Sequence, residues 1–117
     1  MATQKVRLYH NPRCSKSREV LALLRERGIE PEIVDYLKTP PSADEVEALL
    51  ATLGVAPHGL VRTKESAYAA SGLGPNSTAR EVADAIAREP VLLERPVVVV
   101  GQKGAIGRPV ENVLALF

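Results

Sequence analysis

Val6-Arg7-Leu8-Tyr9-His10-Asn11-Pro12-Arg13-Cys14-Ser15-Lys16-Ser17-Arg18 is the stretch from which the fold is read. Val6 and Leu8 alternate with Arg7, the pattern of a short half-buried strand over Val6–Tyr9. Pro12 stops that strand. A helix follows with Val20, Leu23 and Leu24 on one face, and Gly28 is placed to cap its C-terminus. Glu32–Tyr36, holding Ile33 and Val34, reads as a second strand. Strand, helix and strand in so few residues make a βαβ unit, which predicts parallel strands and a right-handed crossover.

Outward from that unit the pattern turns helical. Pro40-Pro41 break the chain, and Ser42 with Glu45 form a capping-box signature ahead of Val46, Leu49, Leu50 and Leu53. Gly54 ends that helix, and shorter helical turns are predicted over His58–Arg62 and Glu65–Ser71. Thr78 and Glu81 repeat the capping box for a helix with Val82 and Ile86, which must end before Pro90. Val97–Val100 are four β-branched residues in a row, as in a strand covered on both faces. Gly101 and Gly104 bracket a tight turn into a last strand around Ala105 and Ile106. Pro109 suits the first turn of a terminal helix bearing Val113, Leu114 and Leu116. The order βαβ, helices, ββα predicts an α/β thioredoxin-like fold: one domain over 1–117 with an inserted helical segment.

Composition narrows the class. The chain has 117 residues, 45% hydrophobic and 25% charged, as in an ordinary globular protein. A net charge of +1 and 3% aromatic residues argue against nucleic acid as a partner. No apolar stretch approaches the roughly 20 residues of a membrane span, and Lys5 and Arg7 interrupt any secretion-signal pattern. One cysteine cannot form an internal disulfide, which fits a cytoplasmic setting.

That cysteine carries the chemistry. Cys14 sits where a helix begins, facing unpaired N–H groups and the positive end of the helix dipole. His10, Arg13, Lys16 and Arg18 add positive charge nearby, so the thiol should be acidified and nucleophilic. Arg62, Arg95 and Arg108 lie at element boundaries, where guanidinium groups can point into a cleft and bind an oxyanion in a bidentate way. Pro96 enters an apolar strand and cannot donate to its ladder; in this fold a cis proline there would face the reactive cysteine. A phosphatase loop needs an arginine at position 20, where Val20 stands. Ser17 occupies the second place of a Cys-x-x-Cys switch, and His10, His58 and Cys14 have no metal-ligand spacing.

Residues 9–18, Arg62, Glu94-Arg95-Pro96-Val97-Val98 and Gly107-Arg108-Pro109 together resemble the glutaredoxin-coupled arsenate reductase family. The Asn-Pro-Arg-Cys-Ser-Lys-Ser motif, in place of Cys-Gly-Thr-Ser-Arg after the proline, marks a sister branch. The resemblance implies attack by Cys14 on arsenate or a related oxyanion to give a thiol-bound arsenic ester. Glutathione, a co-substrate and not a bound cofactor, then displaces oxygen, and glutaredoxin resolves the mixed disulfide to release arsenite. Arg62, Arg95 and Arg108 would hold the oxyanion, His10 would help keep Cys14 ionised, and Asn11, Ser17 and Pro96 would support the site. A monomer is expected. Two other readings stay open: a glutathione-dependent protein thiol transferase, which needs Cys14 but not the arginines, and a non-enzymatic thiol-based regulatory module.

Overall fold

The valine run at 97–100 becomes the interior of a sheet. A computed structural model describes residues 5–117, which divide into two compact units. One unit contains the described residues up to Tyr36 together with Arg95–Phe117; the other is Leu37–Glu94.

The first unit holds β1 (Val6–Tyr9), α1 (Ser15–Glu26), β2 (Glu32–Val34), β3 (Val97–Val100) and β4 (Lys103–Ile106). The strands form one mixed sheet in the order β2-β1-β3-β4. β1 runs parallel to β2, as the βαβ reading predicts, and antiparallel to β3, which pairs antiparallel with β4. Leu8 and Val98, opposite each other on the interior strands, are fully buried with Val20 and Leu24 of α1 and with Val113. Side chains of this size are each worth roughly 1.5–3 kcal/mol when taken out of water. Gly28 follows α1 with φ +74°, the left-handed conformation that glycine adopts without penalty. The thioredoxin-like α/β fold is thus present, with the sheet and α1 in one unit and the inserted helices in the other.

Three local readings change in this unit. β2 ends at Val34 and not at Tyr36, because its partner β1 ends at Tyr9, which pairs Val34. The hairpin turn is Gly101-Gln102 alone; Gly101 takes φ +60° while Gly104 lies inside β4 opposite Val99. The terminal segment Val110–Leu116 is a 3-10 helix with Pro109 as its extended N-cap. Asn112 N donates to Pro109 O at 3.0 Å, and its side-chain amide donates to Arg108 O at 3.1 Å. These bonds favour the tighter i→i+3 winding.

The second unit contains α2 (Ala43–Leu53), α3 (Ser66–Ser71) and α4 (Ala79–Arg88). Ser42 Oγ accepts from Glu45 N, and Thr78 with Glu81 closes both bonds of the capping box. Arg80 of α4 reaches Asp44 and Glu47 of α2 at 3.0 and 2.9 Å. An isolated bridge joins Val61 to Leu93. It replaces the helical turn predicted to run through Arg62: the 3-10 turn Pro57–Leu60 stops one residue before the bridge.

Candidate active site

Strand register brings three loops to one end of the sheet. Tyr9 pairs with Val97, and Val97 pairs with Ile106. The chain after β1, the chain before β3 and the chain after β4 therefore leave the sheet side by side. They carry His10 to Cys14, Arg95-Pro96 and Gly107-Arg108.

The first loop is built by Asn11. Its side-chain oxygen accepts from Arg13 N at 3.0 Å and its carbonyl accepts from Cys14 N at 2.9 Å, forming an Asx-type turn. Its own N–H donates to Ser17 Oγ at 3.2 Å, and Ser17 is fully buried. Asn11 and Ser17 thus clamp the loop from both sides and set Cys14 as the N-cap residue of α1. The thiol is free of any disulfide and 9% exposed.

Burial pushes the Cys14 thiol up. The Ser17 backbone N–H, the Arg95 guanidinium and the Lys16 backbone N–H together outweigh that effect, so the thiol lies below its ordinary pKa. The thiolate is favoured by the helix start and by one distant arginine. Arg108 adds a second. Its Nη2 donates to Cys14 Sγ at 3.5 Å while its Nε donates to Arg95 O at 2.7 Å, so the two arginine loops hold each other beside the sulfur. Both Arg95-Pro96 and Arg108-Pro109 are cis, the first as predicted. Gly107 makes this closeness possible. A Cβ there would lie 2.8 Å from Val20 Cγ2 and 2.9 Å from Pro96 Cγ.

Three expected sources of charge act differently. Lys16 pairs with Glu19 at 3.5 Å, and Arg18 Nη1 donates to Pro12 O at 2.9 Å. His10 is buried, and its Nδ1 has no hydrogen-bond partner. Burial lowers its pKa, Asp35 raises it, and Arg25 and Arg18 lower it again, with a net shift downward. That shift favours the neutral imidazole, so His10 is a weaker source of positive charge beside Cys14 than its place in the sequence suggests.

Arg62 belongs to the second unit. Its N–H donates to Leu92 O at 2.8 Å, and Glu94 N donates to Leu60 O at 2.8 Å, on either side of the Val61–Leu93 bridge. Arg62 Nη1 donates to Glu94 Oε1 at 3.0 Å, and its Nε lies 3.5 Å from Glu65 Oε1. Glu94 stood in the sequence beside Arg95, but no pattern along the chain assigned it or Glu65 a part. Among the described residues no cluster of three or more His, Cys, Asp or Glu could hold a metal ion, and no helix is long and apolar enough to cross a membrane.

The ArsC family model matches residues 9–116. The chain belongs to the ArsC family. It is similar to an arsenate reductase of Neisseria meningitidis serogroup A, 46% identical over 115 residues that cover 97% of this chain and 98% of that one. It is also similar to uncharacterized protein YfgD of Escherichia coli K12, 47% identical over 116 residues, covering 97% and 98%. Among solved structures, arsenate reductase from Vibrio cholerae superposes with a TM-score of 0.92 at 40% identity, covering 99% of this chain and all of the other. In this ArsC-family chain the lone cysteine stands at the strand-to-helix junction, with Arg95 and Arg108 on adjoining loops.

Proposed function

We propose that the protein is an arsenate reductase whose nucleophile is the Cys14 thiolate and whose reductants are glutathione and glutaredoxin. One observation carries the reading: an acidified sulfur at a helix start with an arginine donor 3.5 Å away. A thiolate and anion-binding groups at one point suit attack on an oxyanion. Cys14 attacks arsenic and one oxygen leaves as water, forming the thiol-bound arsenic ester. Glutathione's thiol replaces a second oxygen, again as water. A glutaredoxin thiolate then attacks the glutathione sulfur. The sulfur–arsenic electron pair passes to arsenic, which becomes arsenic(III), and the two thiols leave as a mixed disulfide. Water cleaves the remaining Cys14–arsenic bond, returning the thiol and releasing arsenite.

Arg95 and Arg108 serve this sequence by stabilising charge on sulfur and on the oxyanion, and Arg62 is assigned to the oxyanion with them. Asn11, Ser17 and Pro96 position the loops, and buried His10 supports them. The test is arsenite production by purified protein with arsenate, glutathione and glutaredoxin, omitting each in turn. All three should be required. Turnover without arsenate-dependent use of Cys14, or none with every component present, would overturn the reading.

A further inference from the structure

The loop between β1 and α1 carries positive charge with nothing opposite to it. From His10 to Arg18 it holds Arg13, Lys16 and Arg18 and no aspartate or glutamate. The first turn of α1 has no acidic residue either, although a helix start favours one. Two of the three charges are engaged, Lys16 by Glu19 at 3.5 Å and Arg18 by Pro12 O at 2.9 Å. Arg13 differs: it is exposed, and its guanidinium has no hydrogen bond or ion pair among the described residues. Its backbone is nonetheless fixed. Arg13 N donates to Asn11 Oδ1 at 3.0 Å, and Cys14 N donates to Asn11 O at 2.9 Å, closing a turn with Pro12 and Arg13 at its two central positions. An uncommitted guanidinium thus stands on a held backbone one residue before the nucleophile. We propose that Arg13 binds a carboxylate of the incoming thiol and so selects an anionic thiol, glutathione above neutral ones, for the step that follows the arsenic ester. This inference rests on the reading that a soluble thiol acts on arsenic bound to Cys14.

The chemistry is a matter of approach. Cys14 is only 9% exposed, so the incoming sulfur reaches it through a small opening and the rest of the co-substrate stays outside. What lies outside is what the loop surface can recognise. Glutathione carries two carboxylates several bonds from its sulfur, and a thiol such as 2-mercaptoethanol carries none. A guanidinium presents its donors as a planar fork that matches a carboxylate, which an ammonium cannot do. The pairing is exposed, so it is worth a few-fold in rate and not orders of magnitude, and salt screens it. An arginine that only kept the loop hydrated would treat charged and neutral thiols alike.

Mixed-disulfide formation on Cys14, the only thiol, gives a readout without arsenate. The Cys14 thiolate attacks one sulfur of oxidised glutathione, the disulfide breaks, and glutathione leaves as its thiolate. 2-Hydroxyethyl disulfide reacts in the same way but carries no carboxylate. Both rates are followed by mass at low ionic strength. They use the same thiolate, so a change in its ionisation cancels in their ratio. In Arg13→Gln the ratio of the oxidised glutathione rate to the neutral disulfide rate should fall about threefold. Arg13→Lys keeps the charge and loses the fork, so its ratio should lie between the two. High salt should narrow the gap between wild type and Arg13→Gln. In the arsenate assay Arg13→Gln should raise the KM for glutathione by a similar factor. An unchanged ratio in Arg13→Gln, a gap undiminished by salt, or a fall in kcat alone overturns the inference. If the unchanged ratio comes with normal arsenite production, the proposed function stands and the role of Arg13 alone falls. A lowered ratio in a protein that makes no arsenite keeps Arg13 as the carboxylate site and overturns the arsenate reading.

Discussion

Replacing Arg95 separates the forces that ionise Cys14. Its guanidinium acts on the sulfur both as a hydrogen-bond donor and as a charge, against the opposing effect of burial. Hydrogen bonds to charged groups are worth about 1.5–3 kcal/mol. One pKa unit corresponds to about 1.4 kcal/mol, so complete loss is worth one to two units in principle. Arg95 is half-buried, and solvent screening trims the effect toward the low end. Arg95→Met should therefore raise the Cys14 pKa by about one unit, moving the midpoint of the alkylation-rate profile to higher pH by that amount. Arg95→Lys retains charge without the planar fork and should move it less, yet arsenite turnover should still fall about tenfold or more. Arg108→Met should shift the midpoint less than Arg95→Met, because Arg108 is exposed and its contact with sulfur is long at 3.5 Å. With one cysteine in the chain, thiolate absorbance against pH reads the group directly. An unmoved midpoint in Arg95→Met would refute the reasoning and leave the helix-start N–H groups and Arg108 as the cause.

Cys14→Ser should abolish arsenite production while far-ultraviolet circular dichroism and the melting temperature stay near wild type; turnover above a few per cent would mean another nucleophile. Gly107→Ala drives a methyl to within 2.8 Å of Val20 Cγ2 and 2.9 Å of Pro96 Cγ. Overpacking of this kind costs about 1–3 kcal/mol in urea unfolding. Val20→Ala in the same background should recover part of that cost, and additivity of the two losses would argue against the clash. For His10, whose folded pKa lies below 6.5, the unfolded chain binds more protons. Its contribution is complete above the unfolded pKa and is lost as pH falls toward the folded one. His10→Gln should flatten that acid limb of stability, and an unchanged slope between the two proteins would exclude His10 as its source.

What was legible along the chain is what short-range physics decides. Gly28 and Gly54 end helices because a positive φ is cheap for glycine, and both take it. Thr78 and Glu81 satisfy two N–H groups within one turn, so the pair announces its own helix. Cys14 stands at the helix start because Pro12 stops the strand before it. The failures share a different cause. Gly104 looked like turn chemistry, yet cross-strand pairing with Val99 holds it in β4. Lys16 and Arg18 lie near Cys14 in sequence, which suggests charges on the sulfur, whereas Glu19 and Pro12 engage them. His10 reads as a charge from its letter alone, whereas its burial lowers its pKa.

The acidity of Cys14 has two origins that differ in how they are encoded. The N–H groups of Ser17 and Lys16 come with any helix that begins at Cys14, so the loop sequence alone secures them. The guanidinium contributions depend on register. Arg95 precedes β3 and Arg108 follows β4, and each arrives because Val97 sits opposite both Tyr9 and Ile106. A helix start by itself accounts for a modestly acidic thiol with no preference among electrophiles, which would suffice for thiol exchange. Two arginine loops tied together by the Arg108 to Arg95 bond add fixed positive donors beside that sulfur. Such donors contribute little to attack on a neutral disulfide and much to attack on an anion. That asymmetry, more than the cysteine, is what favours an oxyanion reductase over a thiol transferase built on the same unit.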